Sequence, residues 1–113
     1  LDWRFQDGCA IVTVTGQLDL GSSERFTRAV RGLVHATPGL RLVLDLSGLT
    51  GWDSSGMAAL MTAQRQIDAD PTARMVLAGL PARLARRLHD AGHAGRFTIA
   101  DTNASAIRMA TSA

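Results

Sequence analysis

The segment Leu40–Leu60, LRLVLDLSGLTGWDSSGMAAL, changes character halfway along. Leu40–Leu46 is a short apolar run with few polar interruptions, the pattern of a strand covered on both faces. Asp53, Ser54, Ser55 and Gly56 then stand at the head of an amphipathic stretch, with Met57, Leu60, Met61, Ala63 and Ile67 apolar and Gln64 as the polar exception. That is helical spacing, and Asp53 or Ser54 opens the helix. DADPTA (68–73) closes it, and RMVLAGL (74–80) is a further strand.

Working outward, LDWRFQ (1–6) alternates apolar and polar residues and CAIVTVTG (9–16) is rich in β-branched ones. The two read as a hairpin turning at Asp7-Gly8. QLDLGSS (17–23) breaks the strand pattern, and Ser22 or Ser23 is expected to cap a helix carrying Phe26, Ala29, Val30, Leu33 and Val34 on one face. Thr37-Pro38-Gly39 ends it. Downstream, PARLARRLHDAG (81–92) is a helix with Pro81 in its first turn, Leu84 and Leu88 inward and Gly92 near its end. RFTIA (96–100) is a last strand, and TNASAIRMATSA (102–113) a terminal helix capped by Asn103.

The order is therefore β-β-α-β-α-β-α-β-α. Strands separated by helices imply parallel pairing through right-handed crossovers, and the first hairpin adds an antiparallel member. The fold class is α/β: one domain over residues 1–113, with a mixed, mostly parallel sheet of four to five strands and about four helices. No linker, repeat or low-complexity segment interrupts the pattern, which is complete at both ends. The chain begins at Leu1 rather than Met, which leaves an upstream segment open.

Composition narrows the function classes. At 113 residues and 46% hydrophobic, the chain suits one ordinary core. No apolar run approaches the roughly 18 residues of a membrane span, and no secretion signal is present, so no membrane contact is expected unless the chain is part of a larger one. The single cysteine, Cys9, rules out an internal disulfide, suits a reducing, cytoplasmic setting, and sits in an apolar run as a buried, inert thiol. All twelve basic side chains are Arg, which lifts the isoelectric point near 9.9 although the formal net charge is only +2. The one basic cluster, Arg83, Arg86 and Arg87, reads as a solvated helix face, and no nucleic-acid partner is expected.

Motifs for nucleotide binding (GxGxxG, GxxxxGK[ST]) and for a serine-hydrolase elbow (GxSxG) do not occur. His35, His89 and His93 lie on or beside surface helices, and none is placed as a base for Ser54. His89 and His93 are four apart, but Gly92 intervenes where the helix ends, so solvated histidines are expected rather than a metal site. Asp45, within a strand, reads as a half-buried structural carboxylate. No catalytic residue, cofactor or metal is expected, and the chain does not read as an enzyme. The Asp-Ser-Ser-Gly element by itself is a helix cap. The same geometry tolerates a phosphate, because free N–H groups and the positive end of the helix dipole face the hydroxyl. Its added charge of about −1.5 to −2 would act on whatever docks there.

LVLDLSGLTGWDSSGMAAL resembles the signature of STAS domains, the anti-sigma factor antagonist family: an apolar strand, D-L-S-x-[VL], a short loop, D-S-[ST]-G and an apolar helix. VTVTGQLDL resembles the family's G-E-L-D segment, with Gln17 in place of Glu. LARRLHDAGHAGRFTIADTNASAI resembles its late helix, strand and final helix. The resemblance implies a small mixed sheet with helices packed on it. It also implies a phosphorylation-switched binding module. A serine kinase that doubles as an anti-sigma factor phosphorylates the serine after the Asp, here Ser54. The unphosphorylated form binds that kinase and frees a sigma factor, regulating transcription, and a serine phosphatase resets the switch. By the same match Asp53 flanks and orients the site, Ser55 is the neighbouring hydroxyl, Gly56 lets the partner approach, and Asp19 helps form the docking surface. Trp52 is either buried under the loop or exposed as an anchor. Other STAS modules belong to anion transporters, stress-signalling scaffolds or lipid-transport accessory subunits, and some are reported to bind nucleotides. Oligomeric state is not readable from the sequence.

Overall fold

Asp7 and Gly8 both take positive φ, 52° and 81°. That is the two-residue type I′ turn in which Asp-Gly is favoured, and it folds β1 (Asp2–Gln6) antiparallel onto β2 (Cys9–Thr13). The computed structural model describes residues 1–112. After β2 come β3 (Gly16–Leu18), α1 (Leu20–Ala36), β4 (Arg41–Asp45), β5 (Leu49–Trp52), α2 (Ser54–Asp68), β6 (Arg74–Ala78), α3 (Ala82–Asp90), a 3-10 turn at Ala94–Arg96, β7 (Thr98–Ala100) and α4 (Asn103–Thr111). Ala113, the end of the predicted terminal helix, lies outside the described residues.

The main sheet runs β1-β2-β4-β6-β7, antiparallel at the hairpin and parallel elsewhere. Five strands and four α-helices match the mixed, mostly parallel α/β domain expected from the sequence. The pleat sorts the core. Ala10, Val12, Leu42, Leu44, Met75 and Leu77 face one side, with Phe26 and Val30 of α1, Leu60 and Ile67 of α2, and Leu84 and Leu88 of α3. Cys9, Ile11, Val43, Val76 and Ala78 face the other, beneath Ala106, Ile107 and Ala110 of α4. The central strands are covered on both faces, which is why they read as unbroken apolar runs. Cys9 is fully buried, as expected, and burial pushes its thiol pKa up. No described helix is long and apolar enough to cross a membrane.

Three local expectations need correction. Helix α1 begins earlier than Ser22 or Ser23: Asp19 is its N-cap, and Ser22 completes a capping box as the third helical residue. Thr102, not Asn103, caps α4, accepting from the Ser105 N–H. The Asn103 side chain instead donates to Asp45. The third change is an addition. Gly16–Leu18 and Leu49–Trp52 form a separate parallel pair, with a bulge at Gly16/Gln17. Segments of three and four residues carry no readable period, and this pair exists only because the fold brings the two loops together.

Candidate functional site

The small β3–β5 pair sets the site. Leu18 and Trp52 are register partners, so the next residues, Asp19 and Asp53, emerge side by side, each starting a helix. The Asp19 carboxylate accepts from the N–H groups of Gly21 (3.0 Å) and Ser22 (3.2 Å). Its own N–H donates to Ser22 Oγ at 3.0 Å. Asp53 serves two helices. Oδ1 accepts from the Gly56 N–H of its own helix at 2.9 Å, and Oδ2 accepts from Leu20 N–H, the first residue of α1, at 3.2 Å. The Asp53 N–H donates to Leu18 O at 3.3 Å. The two helix starts are thus stitched together by one carboxylate, with two negative charges at two positive dipole ends.

Ser54 is the first residue of α2 and is exposed. Its Oγ has no hydrogen-bond partner among the described residues, whereas the Asp53 carboxylate beside it is taken up by the N–H groups of Gly56 and Leu20. Beside it lies a recess of about 500 Å³ lined by Trp52, Met57, Arg87 and His93. Ser55, half-buried, points to the other side, into a groove of about 530 Å³ between α1 and α2. Gly56 is buried. A Cβ there would lie 1.9 Å from Leu18 O and 2.9 Å from Trp52 Cβ. The group that approaches Gly56 closely is therefore the chain's own β3 backbone. Asp19, Asp53 and Ser54 are gathered at the paired helix starts, with Gly56 directly beneath and Ser55 on the adjoining α1–α2 groove.

Two residues at this surface escaped sequence reasoning. Leu20, the first residue of α1, is 76% exposed and lines the α1–α2 groove. The available signal was an apolar residue between Asp19 and Gly21-Ser22-Ser23, outside the helical pattern that begins at Phe26. Arg87 donates to Trp52 O at 3.2 Å, and its guanidinium lies 5.3 Å from the Trp52 ring centroid. Arg83 donates to Thr50 O at 2.6 Å. The arginine cluster is thus not merely a solvated face: two of its three members tie α3 to β5. Trp52 itself is buried, which settles the alternative left open by the sequence.

The other residues singled out lie apart from this surface or take no part in its hydrogen bonds. Asp45 accepts from Ser47 N–H (3.1 Å), Ser47 Oγ (2.8 Å) and Asn103 Nδ2 (3.1 Å). Partial burial pushes its pKa up, but the hydrogen bonds from Asn103 and Ser47 and the charge of Arg4 outweigh that, and the carboxyl is held below its ordinary value. His89, in the last turn of α3, makes an exposed contact with Asp90 at 3.6 Å, and Gly92, at φ 78°, turns the chain before His93.

A family model described as the STAS domain matches residues 1–106. Among solved structures, the chain resembles an anti-sigma-factor antagonist (STAS) domain protein from Planctomyces limnophilus, with TM-score 0.88 at 13% identity over 98% of this chain and 97% of that one. It resembles an anti-sigma factor antagonist from Mycobacterium paratuberculosis with TM-score 0.79 at 24% identity, over 97% and 92% of the two chains. It also resembles part of the murine Solute Carrier 26 family member A9 anion transporter, with TM-score 0.77 at 22% identity over 91% of this chain and 18% of that one. At these identities the likenesses establish the fold.

Proposed function

The chain belongs to the STAS domain family, and on that premise we propose that it is an anti-sigma factor antagonist switched by phosphorylation of Ser54. In the unphosphorylated state the surface formed by Asp19, Leu20, Asp53, Ser54 and Ser55 binds an anti-sigma factor that is also a serine kinase, and a sigma factor is released. The kinase transfers the γ-phosphoryl group of ATP to Ser54 Oγ, with ADP leaving and the hydroxyl proton passing to the kinase or solvent. A serine phosphatase reverses the modification in the cytoplasm. The chain itself performs no chemistry in this scheme.

The observation that carries this reading is the Ser54 hydroxyl, exposed and unpartnered among the described residues, on the first turn of α2. Phosphorylation there costs the fold little. The hydroxyl holds no structural bond, and an anion near a helix N-terminus gains about 0.3–1 kcal/mol at an exposed position. The effect falls on the partner. The surface already carries Asp19 and Asp53, and a phosphate dianion adds to them. Against one partner carboxylate about 6 Å away in water, the added repulsion is about 1.4 kcal/mol, roughly tenfold in affinity.

The test uses a cognate kinase-type anti-sigma factor with ATP. Mass spectrometry is expected to place one phosphate on Ser54 and none on the S54A variant. Calorimetry is expected to give tight binding before phosphorylation and at least about tenfold weaker binding after it. A phosphate on another residue, or an affinity that phosphorylation leaves unchanged, rejects the proposal.

A second reading is favoured by the likeness to the anion transporter: the chain is the STAS module of a larger membrane protein. Transmembrane spans in the same open reading frame would select it.

A further inference from the structure

We propose that β1 is a self-complementary edge through which two copies of this chain pair antiparallel, with Trp3 beside Trp3 of the second copy at the two-fold axis and Asp2 opposite Arg4 of the second copy on either side of it. This goes beyond the switch at Ser54 and does not depend on it.

The sheet ends at β1, and every residue of that strand is exposed. Edge strands are often blunted by proline, a bulge or charged side chains. This one, DWRFQ, has neither proline nor bulge, its pairing with β2 is regular from Asp2 to Gln6, and its two charges, Asp2 and Arg4, are of opposite sign. Which backbone groups face outward follows from the turn. In a two-residue hairpin the closing pair, Gln6 and Cys9, exchanges both hydrogen bonds. Alternation then directs the N–H and C=O groups of Gln6, Arg4 and Asp2 toward β2, and those of Phe5 and Trp3 outward.

An antiparallel partner must therefore match odd-numbered residues with odd-numbered ones, which leaves four registers, and Phe5 opposite Phe5 sets Arg4 against Gln6. Trp3 opposite Phe5 sets Arg4 against Arg4. Trp3 opposite Leu1 sets Asp2 against Asp2. Trp3 opposite Trp3 sets Asp2 against Arg4, twice, by symmetry. Only the last places opposite charges across the strands, and like charges directly opposite are destabilising. A two-fold interface of this kind is closed and isologous, so it yields a dimer rather than a fibre.

The side chains on the two faces agree with that register. Trp3 and Phe5 lie on the α1 face, 54% and 58% exposed, edge to face with centroids 5.3 Å apart. They border a recess of about 360 Å³ walled by Ala29, Gly32, Leu33 and Ala36 of α1, with Arg28 and Thr37 also in its lining. Nothing lies within 4 Å of where a Gly32 Cβ would be, so there is open space for aromatic rings from a second copy. Asp2 and Arg4 occupy the opposite face, where their charges meet across the join without entering the apolar strip.

Sedimentation equilibrium over about 10 µM to 1 mM chain tests this, a range in which a weak interface populates both states. The wild type is expected to approach twice the 12.0 kDa chain mass. Asp2→Arg sets Arg against Arg and Arg4→Asp sets Asp against Asp, and each is expected to weaken self-association about tenfold. An equimolar mixture of the two single variants is expected to restore it, because each supplies what the other lacks, and so is the double variant. All substituted positions are exposed, and circular dichroism checks that each variant is folded. A wild type monomeric throughout, single variants that dimerise like the wild type, or a mixture that stays monomeric would each overturn the proposal.

Discussion

Substituting Gly56 by Ala tests whether the two helix starts are held by one tight contact. The added Cβ would fall 1.9 Å from Leu18 O and 2.8 Å from Leu18 C, both backbone atoms of β3. Real Cβ contacts are essentially never under 3.0 Å, so β3 or α2 must retreat by about 1 Å. Two hydrogen bonds cross that join, Asp53 N–H to Leu18 O at 3.3 Å and Leu20 N–H to Asp53 Oδ2 at 3.2 Å. Both are already long, and such a shift breaks them. Each contributes about 1 kcal/mol, and forced overpacking costs about 1–3 kcal/mol. The better helix propensity of Ala offsets about 1 kcal/mol. The net loss is about 2–4 kcal/mol, or roughly 10–25 °C in Tm for a domain of this size. Thermal and urea unfolding measure it. The control is Gly32→Ala, on the exposed face of α1 with open space around it, where the same exchange is expected to add up to about 1 kcal/mol. A Gly56→Ala variant within about 2 °C of the wild type would refute the argument that this contact is rigid.

Asp53→Ala removes the cap of α2 and the bridge to α1 together, and is expected to cost about 1–2 kcal/mol in urea unfolding while Ser54 stays exposed. Leu20→Ser, at a 76% exposed position, is expected to leave Tm within about 2 °C of the wild type but to weaken anti-sigma factor binding in calorimetry. Asp45 has a folded pKa below its unfolded one, so its contribution is complete above the usual carboxylate range and is lost as pH falls through the depressed folded value. Urea midpoints taken from pH 7 downward are expected to fall less steeply below about pH 4 in Asp45→Asn than in the wild type.

Where α2 begins was legible from local chemistry. An Asp followed by two Ser ahead of a helical apolar pattern needs nothing distant to define a first turn, and Ser54 stands on it. The same rule misplaced the start of α1, because Ser22 and Ser23 are as good caps as Asp19. What selected Asp19 was the end of β3 just before it, a strand too short to carry a period. Asn103 lost its expected cap for a related reason: its side chain is taken by Asp45, 58 residues earlier.

The sequence by itself determined the order of the main strands and helices, the faces they bury and the position of the candidate serine, because each rests on periodicity or capping within a few residues. Only the tertiary structure decided that Asp53 serves two helices, that Gly56 yields to Leu18, that Trp52 is buried under Arg87, and that β1 stands at the edge of the sheet formed by the described residues. These are contacts between segments about 35 residues apart, or a strand's place in the sheet, and no local pattern along the chain encodes either.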